Sequence, residues 1–166
     1  MARLFRLFRF SSYFVLLVVT AQAALAQASL QCQMRPASLV AMLHCFRPLL
    51  VFSPSASDPR LKEQTHIPDA AADDMMDRFV MLTPIVQHPK LYVTPLDTPY
   101  IVLRESEMQF IRKEFHVPLD QFEVILLDED GHIRLRSDMP IRITPLNRLI
   151  DTIPERQIEM KRRGAN

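Results

Sequence analysis

The chain has 166 residues, 48% hydrophobic, with 20 Lys and Arg against 19 Asp and Glu. That length suits one domain of ordinary size with a real core, and the near-neutral charge excludes the strongly basic footprint of a nucleic-acid binder. Only two glycines, Gly131 and Gly164, are present, which excludes a Gly-rich phosphate loop.

The first 26 residues divide as an export signal does. Arg3, Arg6 and Arg9 stand without an acidic residue, Tyr13 to Val19 is unbroken apolar chain, and Ala24-Leu25-Ala26 supplies small residues for cleavage. Cleavage after Ala26 is expected, giving a secreted or periplasmic protein that begins at Gln27. An uncleaved anchor would want about 20 predominantly apolar residues, and Thr20 and Gln22 interrupt this run. A lipidated Cys32 is disfavoured by the Leu30-Gln31 that precedes it. Without its three signal arginines the chain carries 17 basic and 19 acidic residues, a net charge of −2, so neither nucleic acid nor a stable membrane span is expected. Residues 27–46 form an N-terminal segment, 47–155 the domain, and 156–166, with Lys161 to Arg163, a polar C-terminal tail.

Cys32 and Cys45 would meet a compartment in which disulfides persist. A bridge between them would close a short loop, worth about 3 kcal/mol in the chain-entropy model; two free thiols are the alternative.

The apolar run Pro48 to Ser53 reads as a central strand buried on both faces. Ser57 and Asp58 ahead of Pro59 mark a helix start, with a side-chain oxygen as cap and proline at the first helical position. That helix carries Leu61 to Met76 and should kink or break at Pro68. Arg78 to Val86 is a second strand, kept from the centre of a sheet by Pro84, and Gln87 to Pro99 is a long loop. Ser106 and Gln109 have capping-box spacing, and Met108, Ile111 and Phe115 continue a helix to about Val117-Pro118. Phe122 to Leu127 and His132 to Ser137 flank Asp130-Gly131 as a hairpin. Thr144-Pro145 repeats the cap-then-proline start, and Leu146, Leu149, Ile150 and Ile153 fall on one helical face.

The order is βαβαββα, the core of the thioredoxin fold: a mixed sheet of about four strands, helices on both faces, and a crossover expected to be right-handed. Three stretches, RPLLVFSPSASDPRLKEQ (47–64), FHVPLDQFEVILLDEDGHIRLRSDMP (115–140) and LIDTIPERQIEM (149–160), resemble the domain-of-unknown-function family numbered 4174, also called P-DUDES. The resemblance implies a thioredoxin-like, peroxiredoxin-related domain of bacterial exported and animal extracellular-matrix proteins. It brings no known activity.

Redox enzymes of this fold set a low-pKa thiol at the N-terminus of the first helix. Here that turn is Ser53-Pro54-Ser55-Ala56-Ser57-Asp58, with Cys45 at the far end of the strand. The proline that usually faces the thiol has no counterpart either, since the pattern lands on Gln121, beyond Pro118. Candidate binding residues are Ser55, Ser57 and Arg60, where a helix N-terminus could take an anion or peptide carboxylate, with Asp58 and Gln64 beside them and Arg134 and Arg136 on the last strand. Each has a plainer reading: Asp58 a cap, Arg60 its pair or a solvent-facing charge, Gln64 a surface residue, and the two arginines a guard on an edge strand. Ser57, His66 and Asp58 make a poor catalytic triad, being sequence neighbours without a Gly-x-Ser-x-Gly elbow. The five histidines, 44, 66, 88, 116 and 132, lack metal-ligand spacing. No catalytic residue, metal or cofactor is assigned. The expected function is a non-catalytic binding or structural module with a protein or peptide partner outside the cytoplasm; the alternative is a divergent peroxiredoxin-like oxidoreductase.

Overall fold

The computed structural model describes Cys32 and residues 34–164. The expected signal and its cleavage site lie outside the described residues. By contacts residues 1–32 and 33–166 form two units, and the second is the domain described below. Cys32 and Cys45 are both disulfide-bonded.

Four strands, β1 (Arg47–Phe52), β2 (Val80–Ile85), β3 (Glu123–Leu127) and β4 (Ile133–Ser137), form one sheet in the order β2-β1-β3-β4. β1 runs parallel to β2 and antiparallel to β3, which runs antiparallel to β4. All six residues of β1 are buried, as a strand covered on both faces requires. Its side chains alternate: Leu49 and Val51 join Leu61, Met75, Leu146 and Ile150 in one core layer, and Leu50 and Phe52 join Met108, Ile111 and Ile125 in the other. The first layer is covered by α1 (Pro59–Asp69), α2 (Ala72–Asp77) and α4 (Ile143–Ile150), the second by α3 (Glu105–Glu114). The mixed sheet with helices on both faces is therefore the expected thioredoxin-like architecture.

Pro84 sits in β2 without harm, for a reason the register supplies. Leu82 donates to Pro99 O at 2.9 Å and accepts from Ile101 N at 2.9 Å, so its backbone faces away from β1. Residue 84, two positions on, shares that orientation, so the missing N–H of Pro84 takes no bond from β1.

Several helix boundaries differ from the sequence expectation. Of the kink or break expected at Pro68, the break comes two residues later, at Ala70 and Ala71, because α1 runs through Pro68 and loses one ladder bond near its end. Ser106 caps nothing: α3 starts at Glu105 with Arg104 as an uncapped N-cap residue, and Glu105 and Glu107 complement the dipole instead. Likewise α4 begins before Thr144-Pro145, with Arg142 at its N-cap position. Residues expected as a polar tail form α5 (Pro154–Gly164), whose Arg156 is buried and bonded to Asp77 O at 2.7 Å. Among the described residues no helix is long and apolar enough to cross a membrane.

The hairpin forms where Asp130-Gly131 indicates. Asp128 accepts from Asp130 N at 3.0 Å and His132 N at 2.8 Å, and Gly131 takes φ +87°, which glycine adopts without Cβ strain.

Candidate functional site

The turn leaving β1 and the loop leaving β2 meet at the carboxyl end of the parallel pair, where open α/β sheets bind ligands. Asp58 is the N-cap of α1: its carboxylate accepts from Arg60 N at 2.8 Å, and Pro59 follows. The Arg60 side chain returns to the same carboxylate at 2.7 Å and lies over the Phe122 ring at 4.9 Å. The bond from the Arg60 side chain holds the Asp58 carboxyl below the ordinary aspartate range, with burial opposing it. The cap and carboxylate-pairing readings of Asp58 and Arg60 both hold.

Asp58→Ala should therefore lower stability by about 0.5–2 kcal/mol, and Asp58→Asn by less, because asparagine caps about as well and forfeits only the charge paired with Arg60. Since the folded-state pKa is depressed, the carboxylate's contribution is present above the ordinary aspartate pKa and lost as pH falls through the folded value. Urea unfolding of both variants at neutral pH and near pH 3 checks this; equal stability of wild type and Asp58→Ala at neutral pH would contradict the cap.

The other candidates separate. Ser55 and Ser57 are brought together, their hydroxyls 3.1 Å apart, and line a shallow hollow of about 390 Å³ with Lys62, Gln87, His88, Leu91 and Val93. Gln64 is not on the surface. It is fully buried, its Oε1 accepts from Ile141 N at 2.6 Å, and its Nε2 has no partner; it ties α1 to the segment before α4. Arg134 and Arg136 are spent at home, pairing with Asp128 at 2.7 Å and Glu123 at 3.0 Å. As a hydrolytic triad the turn fails: Ser57 is bonded to Ser55, Asp58 to Arg60, and the exposed His66 lies two turns along α1. Among the described residues no three His, Cys, Asp or Glu side chains could hold a metal.

The residue that sequence reading missed is Arg112. It lies on α3 and is 7% exposed, with its guanidinium over the Phe52 ring at 5.5 Å. Nη1 donates to Pro118 O at 2.6 Å, and Nη2 donates to Ser53 O at 3.0 Å and Ile85 O at 2.8 Å. It thus ties together the ends of β1 and β2 and the loop after α3. That loop turns through His116 at φ 57°, with Val117 N bonded to Arg112 O at 3.0 Å. Burial draws the arginine's pKa below its usual value, yet a guanidinium stays charged. Its position was legible: it stands four residues after Met108, on the apolar stripe of Met108, Ile111 and Phe115.

The long loop after β2 is held along α1 by several side chains. Asp69, at the end of α1, accepts from Leu96, Asp97 and Thr98 N at 2.8–3.1 Å, and these bonds hold its carboxyl below the ordinary range. Tyr92, hydrogen-bonded to Thr65 at 3.0 Å, is pushed up to about 12 by burial.

Fold and site together define a thioredoxin-like α/β domain whose first helix starts at a carboxylate cap. The chain belongs to the family described as domain of unknown function (DUF4174), which matches residues 38–159. No curated protein matches. Among solved structures the chain is similar to a reduced 2-Cys peroxiredoxin from Plasmodium vivax, with 17% identity, 72% of this chain and 84% of that one covered, and a TM-score of 0.54. Thioredoxin peroxidase I from Plasmodium yoelii has 15% identity, 72% and 79% coverage and a TM-score of 0.54. The mitochondrial 2-Cys peroxiredoxin from Plasmodium falciparum has 15% identity, 72% and 82% coverage and a TM-score of 0.51. At such identities the likeness establishes the fold alone.

Proposed function

We propose that the chain is an exported, non-catalytic binding module built on the thioredoxin-like fold. One observation carries this: the helix N-terminus that would stabilise a thiolate is held by the Asp58 carboxylate, bonded to Arg60 and its backbone. The positive end of the dipole is thus already taken by a bonded carboxylate, and the turn Ser53 to Asp58 holds no cysteine. The bonded state of both cysteines agrees with an oxidising compartment, and Cys45 precedes β1, at the end of the strand remote from this turn.

The test is peroxide turnover by the full chain with dithiothreitol as reductant. The expected result is none beyond the reagent's own rate. Turnover that vanishes in Cys45→Ser would overturn the reading in favour of a divergent peroxiredoxin-like oxidoreductase. Intact-mass measurement of the exported protein, expected to begin at Gln27, tests the location; a species retaining Arg3 would contradict it.

A further inference from the structure

Arg112 is a buried cation without a counter-anion: among the described residues no carboxylate lies within ion-pair distance of it. Its three bonds go to carbonyl oxygens and its face lies on the Phe52 ring, so dipoles and a quadrupole surround the charge and no carboxylate among the described residues pairs with it. Burying an unpaired charge is costly, and of the five N–H donors of a guanidinium these bonds use both on Nη2 and one on Nη1, leaving the Nε and one Nη1 hydrogen for single charge-assisted bonds to a carboxylate.

The same side chain lines a hollow of about 170 Å³ whose walls include Ile85, Val86, Met108 and Leu119, with Gln87 and Gln109 at its polar side. At about 30 Å³ per water in the liquid, that space suits a group of five or six heavy atoms. With Arg112 beside these apolar walls on one part of the lining and Gln87, His88, Gln109 and Glu105 on the rest, the hollow suits a singly charged carboxylate on a short apolar stem. Glu105, exposed and on the same hollow, disfavours ions of higher negative charge such as phosphate. Gln87 and His88 also line the 390 Å³ hollow beside Ser55 and Ser57, so the two cavities share a wall. The larger one, bordered by the exposed apolar Leu91 and Val93, has room for the residues preceding a chain terminus.

Resting on the binding-module reading, we propose that this double hollow takes the C-terminal end of a peptide, its terminal carboxylate paired with Arg112 and its last apolar side chain held between Met108 and Leu119. Hydrogen bonds to a charged partner are among the stronger ones, so amidating that terminus should weaken binding about ten- to hundred-fold.

Calorimetric titration of the full chain tests this with acetylated tetra-alanyl-leucine as the free acid, its amide, valerate and inorganic phosphate. The expected order is peptide acid first, valerate weaker, with amide and phosphate weakest. Gln109→Glu, an exposed position that supplies an internal carboxylate near Arg112, should abolish peptide binding while circular dichroism shows the fold intact. Equal binding of acid and amide, no binding of the acid, or full binding by Gln109→Glu would each overturn the proposal. Valerate binding as tightly as the peptide would overturn the peptide as occupant and leave a free small acid as the ligand. These titrations are independent of peroxide turnover, so the carboxylate site can fail while the non-catalytic reading stands, and the converse.

Discussion

Arg47→Ala is expected to destabilise the domain by about 3–5 kcal/mol, the range for breaking a buried ion pair by removing one partner. Arg47 is fully buried at the start of β1, on the axis of the sheet. It donates to Arg78 O at 2.8 Å and pairs with Glu159 at 2.7 Å and Glu129 at 3.3 Å. Truncation leaves a cavity and two carboxylates facing each other without the cation between them. Glu129 already sits above the ordinary glutamate range, first through burial, with Arg47 opposing and Glu159 adding to the rise. Losing Arg47 should raise it further. A carboxyl raised in the folded state binds more protons there than in the unfolded chain, so stability falls as pH rises from the ordinary value to the raised one. The deficit of Arg47→Ala relative to wild type should consequently shrink in acid. Urea unfolding near pH 4 and at neutral pH measures it; a loss below about 1 kcal/mol would show that this ion group behaves as a solvated surface pair.

This group explains why the last helix was missed. From the sequence, residues 156–166 look like a tail because α5 is polar almost throughout and shows no apolar stripe. It is held through charge: Glu159 to Arg47, Arg156 to Asp77 and Asp151 at 3.4 Å, and Arg163 to Asp77 with its guanidinium over Phe79. Hydrophobic periodicity is blind to such anchoring, since partners 112 and 79 residues apart in the chain give no local signal. The strands, in contrast, were legible because burial on both faces leaves continuous apolar runs, and the cap at Asp58 because its partner is two residues away. Gln64 and Arg112 fall between these cases. Both occupy stripe positions, Gln64 three residues after Leu61 and Arg112 four after Met108, so their burial was implied by helical spacing. Polarity alone suggested a surface place for Gln64. What each would bond, Ile141 N in one case and the ends of two strands in the other, depended on the tertiary fold.

Phe52→Ala should cost about 3–5 kcal/mol, the usual range for emptying a buried aromatic site, and should also loosen the Arg112 hollow. Phe52 ends β1 fully buried, with its centroid 6.2 Å from that of Phe115 at an interplanar angle of 55°, a tilted arrangement favoured by the ring quadrupole. On its face lies the Arg112 guanidinium, attracted by that same quadrupole in a place where little water screens it. The ring therefore does two things: it fills the core layer under α3, and it supports a cation whose own bonds tie β1, β2 and the 115–119 loop together. Phe52→Leu separates these roles, keeping much of the volume and losing the π face. It should cost less stability than alanine and still weaken peptide-acid binding. Phe115 shares the core layer without touching the bonds of Arg112 to Ser53 and Ile85, so Phe115→Leu should lower stability and leave that binding nearly unchanged. A double-mutant cycle of Phe52→Leu with Arg112→Lys should show coupling of about 0.5–3 kcal/mol, as for residues in contact. Additive effects of the two substitutions would mean that the ring only fills space, and that the carbonyl bonds alone place the guanidinium.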